Sequence, residues 1–467
     1  MNASGKTSKA GNAPRRYPPV GGSQDVFHLR SAKVPLPLIV RASGVRMWDD
    51  AGNEYIDVSS GPVVSNIGHG NERVADAMAA QARRVDFAYA RVARHQPNID
   101  YASRLAELAG PGFERVCFAS GGSEAMEIAI KLVRQHVVVR GQPQRRKLIS
   151  CEPAYHGSTV ATMGLAGDER LRVFLDGFGV MAERVPAPLS YRVPGNLSVE
   201  HHARQCAERL EEKIQALGPE NVLAFVIEPV GGLASGCLVP HPTYFRMVRD
   251  ICTRHGVYLI FDEVMSGVGR TGKFLAAHHL PDALPDVVAI AKGLGSGYAP
   301  LGAVLAPAAM VDEIATRTGF NFMHTYAANP IGCATGLAVL DEYERLDLIR
   351  CAAERGASLR ARLEALQERV ACIGDIRGRG LLMAVEIVAS RPDKRSYPVE
   401  LAVIDRIRTL ALEHGLMIYS RQTAGGKYGD WFMVSPPLTI TEAECDELVG
   451  RLEATLQAFQ REMAAHA

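Results

Sequence analysis

The chain has 467 residues, nearly half of them hydrophobic, which is enough to bury a large core and to form two domains rather than one. Lys and Arg number 52 against 51 Asp and Glu, so no overall field exists to hold nucleic acid or an anionic membrane, and the expected partners are small molecules. The nine cysteines form no CxxC pair and no close Cys/His ligand spacing, no apolar run reaches the ~20 residues that span a bilayer, and no signal-peptide pattern opens the chain; a metal site and a disulfide framework are not expected, and the expected location is the cytoplasm.

Residues 1–25 are basic, rich in Ser, Gly and Pro, and nearly free of acids, the composition of a flexible arm. In "VRMWDDAGNEYIDVSS" apolar-alternating flanks surround Asp50 to Asn53, the pattern of two short strands joined by a tight turn. From Asn71 onward β-branched runs alternate with helical ones: "RVCFAS" then "SEAMEIAIKLVRQH", "KLISCEPAY", "VLAFVIEPV" then "TYFRMVRDICTRHG", "VYLIFDEV" and "VVAIAKG". Short apolar strands separated by helices predict a parallel sheet with helices on both faces. After "HTYAANP", helices are expected from about Ile331 to Leu346 and from Ala352 to Arg369. "DIRGRGLLMAVEIV" and "WFMVSPPLTI" read as strands, and Thr441 begins a capping pattern for a closing amphipathic helix. The expected fold class is α/β: a large domain over residues 71–334 with a mostly parallel central sheet, and a smaller α+β domain from residues 26–70 and 335–467.

Lys292 closes an apolar, strand-like run and is followed by Gly293, Gly295 and Gly297. A lysine in such a place needs a partner or a task. Thirty positions earlier Asp262 ends the strand "VYLIF", where ligands collect in open α/β sheets. At a third strand end, "CFASGGSEAME" breaks into glycines and opens a helix near Ser123, whose free N–H groups and positive dipole end suit a phosphate. An amine, a carboxylate and a phosphate cup at one sheet edge match the requirements of pyridoxal phosphate: an amine for its aldehyde, a carboxylate for its pyridine nitrogen and donors for its phosphate. "GLGSGYAPLG" has no helix directly after its glycines and is not a dinucleotide loop, and "SGGSEA" lacks the GxxxxGK[ST] pattern of nucleotide triphosphatases.

The segment "LIFDEVMSGVGRTGK", followed at the usual interval by the lysine of "AKGLGSGYAPLGAV", resembles the signature of class III aminotransferases. "NIGHG", "SGGSEAMEIAIKLVR", "AYHGST", "VIEPV", "HTYAANP", "DIRGRGLL" and "SPPLTIT" extend the resemblance in the family's order along nearly the whole chain. It implies a fold-type I pyridoxal-phosphate enzyme, a homodimer with active sites at the subunit interface. By that resemblance Lys292 matches the lysine that holds the cofactor as a Schiff base and moves the proton, and Asp262 the partner of the pyridine nitrogen. Gly121, Gly122 and Ser123 match the phosphate cup, and Thr325 the threonine that reaches the phosphate from the neighbouring subunit. Tyr155 resembles the aromatic residue stacked on one ring face, with Val264 on the other, and Glu228 an acid that positions substrate and lysine. His156 reads better as a structural neighbour satisfied by backbone than as a base, and Cys117, Cys151 and Cys237 as core residues.

Family members that bind an α-carboxylate commonly carry an arginine shortly before the Pro-Pro of the last strand; the matching position here is Met433, which cannot pair with a carboxylate. In the amine:pyruvate or ω-aminotransferase subgroup a mobile arginine precedes that strand, which makes Arg421 of the loop "YSRQTAGGKYGD" the candidate and Lys427 a second cation. Pro62, Val63 and Val64 are expected to make the pocket apolar, suited to an amine or ω-amino donor. The expected reaction moves an amino group to a 2-oxo acid such as pyruvate in a ping-pong cycle. A racemase, an aminomutase or a decarboxylase on the same fold, and a pyridoxal-phosphate-binding protein without turnover, are the alternatives.

Overall fold

A computed structural model describes residues 36–168, 174–175, 178–195, 197–422 and 426–465, except for the side chains of 421 and 422; the expected arm over residues 1–25 lies outside them. Three short strands come first: β1 (Ile39–Ser43), β2 (Arg46–Asp49) and β3 (Glu54–Asp57). Seven follow in the middle of the chain: β4 (Arg115–Ala119), β5 (Lys147–Glu152), β6 (Glu183–Pro186), β7 (Val222–Ile227), β8 (Tyr258–Asp262), β9 (Val287–Ile290) and β10 (Gly302–Ala306). Five more lie near the end: β11 (Ile373–Arg379), β12 (Leu382–Ile387), β13 (Leu416–Met417), β14 (Tyr419–Gln422) and β15 (Asp430–Val434).

The seven middle strands form one sheet in the order β4-β10-β9-β8-β7-β5-β6. The run from β9 to β6 is parallel, whereas β10 is antiparallel to both β9 and β4. The sheet is mostly parallel, as expected; β10 is the strand that runs the other way, and the reason is the connection. Only a single 3-10 turn, Lys292–Leu294, lies between β9 and β10, too little chain for a helical crossover, so the next strand must run back. Every residue of β7, β9 and β10 is buried, as strands covered on both faces must be. The helix Gly122–Val139 buries nine residues, whereas Glu72–Arg84 buries only Val74 and Gln81 and stays on the surface.

Two four-stranded sheets use the two ends of the chain. One is β1-β2-β3-β13, in which β13 from the C-terminal region pairs in parallel with β3. The turn from β2 to β3 falls over Asp50 to Asn53, where Asp49 Oδ1 accepts the amides of Ala51 and Asn53. The other sheet is β11-β12-β15-β14. "DIRGRGLLMAVEIV" is therefore a hairpin, turned at Gly380 with φ 57°; a Cβ there would lie 2.6 Å from the carbonyl carbon of Thr271 and 2.8 Å from the oxygen of Arg270, so only glycine lets this hairpin touch the loop after β8. The closing helix Glu442–Ala465 opens with a reciprocal cap, in which Thr441 Oγ1 accepts the Glu444 amide and Glu444 accepts the Thr441 amide. Among the described residues no helix is long and apolar enough to cross a membrane.

Phe261, next to the end of β8, is fully buried and meets Phe245 edge to face with ring centroids 5.4 Å apart. Phe261→Ala is expected to cost about 3–5 kcal/mol through lost burial and the cavity left behind. It should lower the thermal unfolding midpoint by several degrees, read by circular dichroism.

Candidate active site

The carboxyl ends of β5, β7, β8 and β9 meet at one edge of the sheet, around a cavity of about 530 Å³. The apolar strand β8 delivers Asp262 there, only 5% exposed. Its Oδ1 accepts the Val264 amide at 3.0 Å, and its Oδ2 accepts a hydrogen bond from His156 Nδ1 at 2.9 Å. His156 was expected to be satisfied by backbone; it is instead a buried partner of this carboxylate, and its Nε2 has no partner among the described residues. Sequence reasoning has no means of pairing positions 156 and 262, which meet only because β5 and β8 end at the same edge.

Lys292 leaves β9 with φ 48°, in the left-handed region, and enters the turn Lys292–Leu294. Its side chain lines the cavity together with Asp262, Glu228, Tyr155 and Gly121. Burial holds its amine below the ordinary lysine value of 10.5, only partly offset by the charges of Asp262 and Glu228. Glu228, just beyond β7, accepts the Gly232 amide at 2.8 Å and the Tyr155 amide at 3.4 Å, so it ties two loops of the cavity wall together. Burial pushes its carboxyl up to about 6 against the opposing pull of His156, and the Asp262 charge adds to the rise.

Across the cavity, β4 ends at Ala119 and the helix Gly122–Val139 begins. Gly121, Gly122 and Ser123 line the cavity, and the first turn of a helix leaves N–H groups without partners in the helix. Ser123 Oγ accepts the Ser158 amide at 3.0 Å. A Cβ at Gly122 would lie 2.7 Å from Val264 Cγ1, so glycine is what lets the helix start close against the valine. Tyr155 and Val264 both line the space between.

The other sequence candidates fall differently. Val64 lines the cavity, but Val63 is buried in an apolar cluster with Val230, Leu233, Trp431 and Met433. Positive φ values at Ser60, Gly61 and Val63 wind this segment so that the expected pairing of both valines at the pocket does not occur. Thr325 is exposed and does not line the cavity of its own chain. Arg421 lies in strand β14 opposite Trp431 rather than in a loop; its side chain is outside the described residues. Lys427 is exposed, with Nζ 3.5 Å from Glu152 Oε1, which also accepts the Tyr428 hydroxyl at 2.6 Å. Leu233, Ala234, Met265 and Tyr419 also line the wall. The sequence reading missed them; the glycines of "VGGLASG", shortly after the end of β7, were the available signal for the first two.

An enclosed amine, a buried carboxylate backed by a histidine, a helix start that bare glycines bring to the cavity, and a slot between an aromatic ring and a valine fit pyridoxal phosphate. With the mostly parallel seven-stranded sheet they define a fold-type I pyridoxal-phosphate enzyme. The family model described as aminotransferase class-III matches residues 28–456, and the chain belongs to that family of pyridoxal-phosphate-dependent transaminases. It is 35% identical over 459 residues to the diaminobutyrate–2-oxoglutarate transaminase of Halomonas elongata, covering 94% of this chain and 96% of that protein. It is 32% identical over 419 residues to the putrescine–pyruvate aminotransferase of Pseudomonas aeruginosa, covering 88% of each. The solved structure of an (S)-enantioselective omega-transaminase from Thermomicrobium roseum superposes with a TM-score of 0.86 at 33% identity, over 93% of this chain and 96% of that one.

Beside Asp262, the fully buried Glu263 accepts the amides of Ala276 and Ala277 at 2.5 and 2.8 Å. Burial outweighs those two bonds and pushes its carboxyl up to about 8 from 4.5. Glu228 and Glu263 both bind protons more tightly folded than unfolded, so their contribution to stability is full below about pH 4.5 and is lost as pH rises through about 6 and about 8. Glu263→Gln should flatten the fall of the thermal midpoint of the cofactor-free protein between about pH 5 and pH 9. An unchanged slope would show that Glu263 does not titrate there.

Proposed function

We propose that this transaminase takes an amino group from an amine or ω-amino donor and passes it to a small 2-oxo acid, with pyruvate preferred. The observation that carries the reading is the wall of the cavity. Val64, Leu233, Ala234, Met265 and Leu301 make much of it apolar, and among the described residues lining it Lys292 is the only lysine or arginine. Met433, where an α-carboxylate-binding relative would place an arginine, is fully buried against apolar neighbours. A donor that brings no fixed carboxylate loses nothing in such a site, whereas an amino dicarboxylate would bury an unpaired charge. The P. aeruginosa relative, named for putrescine and pyruvate, supports the same pairing.

Bound pyridoxal phosphate supplies the electron sink that makes the hydrogen on the donor's amine-bearing carbon acidic. Asp262 would pair with the cofactor's pyridine nitrogen and keep a proton on it, and His156 keeps that carboxylate oriented. Lys292 is the amine that would hold the cofactor's aldehyde and, when free, would move the proton taken from the donor's amine-bearing carbon; its burial-lowered basicity lets the amine be neutral nearer to neutral pH. The first turn of Gly122–Val139, with Ser123, would hold the phosphate, and Tyr155 and Val264 would enclose the ring. Glu228 fixes the Tyr155 backbone and the 231–234 loop.

The site works as part of a homodimer. Thr325 and its neighbours Phe322 and Tyr326 are exposed, and Phe87 packs edge to face on Tyr326 at 5.8 Å, an apolar surface beside a residue assigned to the partner's phosphate. The nine cysteines are all unpaired, in keeping with a reducing cytoplasm.

Stopped-flow absorbance of the cofactor-loaded enzyme tests the reading. 1-Phenylethylamine, putrescine and β-alanine are added singly, with glutamate as the contrast. The expected result is loss of the visible band with at least one of the first three and its recovery by pyruvate faster than by 2-oxoglutarate. Bleaching by glutamate alone would overturn the donor assignment.

A further inference from the structure

We propose that Arg270 and Asn66 are positioning residues for the transfer reaction: together they clamp the backbone turn that carries Lys292, and so set where its amine sits. The proposal rests on Lys292 being the cofactor's lysine. Asn66 is 1% exposed and lies directly on the residue after the lysine, because a Cβ at Gly293 would stand 2.1 Å from Asn66 Nδ2. The next residue along, Ile67, donates its amide to Ser296 Oγ at 3.0 Å. The lysine turn is thus pressed from outside by the 66–67 peptide.

The turn needs that pressure. Lys292 and Ser296 both have φ 48°, a conformation that β-carbon-bearing residues keep only when their surroundings dictate it. Inside the turn, the amides of Gly295 and Ser296 return to the Lys292 carbonyl at 3.2 and 2.9 Å. Those bonds close the loop without fixing where it points, and Gly293, Gly295 and Gly297 leave it pliable. Tyr101 holds its far side, with the hydroxyl donating to the Leu294 carbonyl at 3.1 Å.

What holds Asn66 is a guanidinium. Arg270 is fully buried and donates through NH2 to Asn66 Oδ1 and, at 3.2 Å, to Ser60 Oγ. Through NH1 it donates to the carbonyls of Leu381, Ser435 and Pro436 at 3.2, 3.3 and 2.5 Å. The other end of the Asn66 amide donates to Tyr343 Oη at 2.7 Å and to the Val268 carbonyl at 3.3 Å. No carboxylate pairs with this arginine among the described residues; five neutral acceptors from three separate stretches share its charge. A planar fork is the side chain that satisfies such a set, and a lysine in its place would reach fewer of them. Arg270 also follows Asp262 by eight positions in the same loop, so one element presents the carboxylate to the cavity and anchors the turn that presents the amine.

A residue that merely stabilised the fold would change the melting behaviour and leave the chemistry of the loaded enzyme alone. A residue that places the lysine changes how the amine meets its two reaction partners. The test compares wild type, Lys292→Ala, Asn66→Ala and Gly293→Ala, each reconstituted with pyridoxal phosphate. Two quantities are read: the pH midpoint of the visible band of lysine-linked cofactor, and the rate at which that band grows when pyridoxal phosphate is added to the cofactor-free protein. Asn66→Ala is expected to slow band growth at least about tenfold and to move the midpoint by more than about 0.5 pH unit. Gly293→Ala keeps both clamp residues and inserts one methyl between them and the lysine turn, so it is expected to show the same two changes. Wild-type rate and midpoint in either folded variant would overturn the clamp. A band that survives in Lys292→Ala would instead overturn the assignment of the lysine, and the clamp with it.

Discussion

The placement of Lys292 is the constraint from which the rest of this structure follows. Its amine is drawn below its ordinary basicity by burial, yet stands in one cavity with two carboxylates that favour its charge. The sheet makes that arrangement by ending β8 and β9 side by side, so that an acid and an amine emerge one strand apart. The short turn that carries the lysine also forces β10 to run backwards, and this reversal brings Gly302 next to Gly121 at the end of β4. A Cβ at Gly302 would meet the Gly121 carbonyl at 2.5 Å, so the antiparallel strand and the loop after β4 close on each other only through glycine. Topology and site chemistry are here one solution to one packing problem.

The carboxyl groups around the lysine differ in how they are held. Asp262 accepts a backbone amide and a histidine nitrogen, which together satisfy both of its oxygens. Glu228 and Glu263 accept backbone amides but lie deep enough that burial dominates, and both are pushed upward. The Asp262 charge adds to the rise in both, so the two glutamates take up protons more readily beside it, which limits the repulsion that three adjacent charges would otherwise create. The wall facing them is largely apolar and built from four separate regions of the chain, around Val64, Leu233, Met265 and Tyr419.

Much of this was legible in the sequence, for physical reasons. Fully buried strands are apolar without alternation, so β7, β8 and β9 stood out, and the residues that end β8 and follow β9 could be numbered without a structure. Helix starts were visible where a side chain caps them, as at Thr441. Three things were not legible. Strand direction depends on the length and shape of a connection, which hid the reversal at β10. Side-chain direction depends on φ, and positive values at Ser60 and Val63 turned one of two adjacent valines into the core. Partnership across the fold depends on tertiary packing, which hid the pairing of His156 with Asp262 and that of Arg270 with Asn66. Arg421 read as a loop residue because glycines follow it closely, yet the strand continues to Gln422.

The most direct test of the account is to find which lysine carries the cofactor. The enzyme loaded with pyridoxal phosphate is reduced with borohydride, which makes the linkage permanent, and is then digested and mapped by mass spectrometry. The account requires the pyridoxyl group on the peptide containing Lys292, at near-stoichiometric yield. Its appearance on another lysine, or a scatter over several surface lysines, would contradict the assignment of the site.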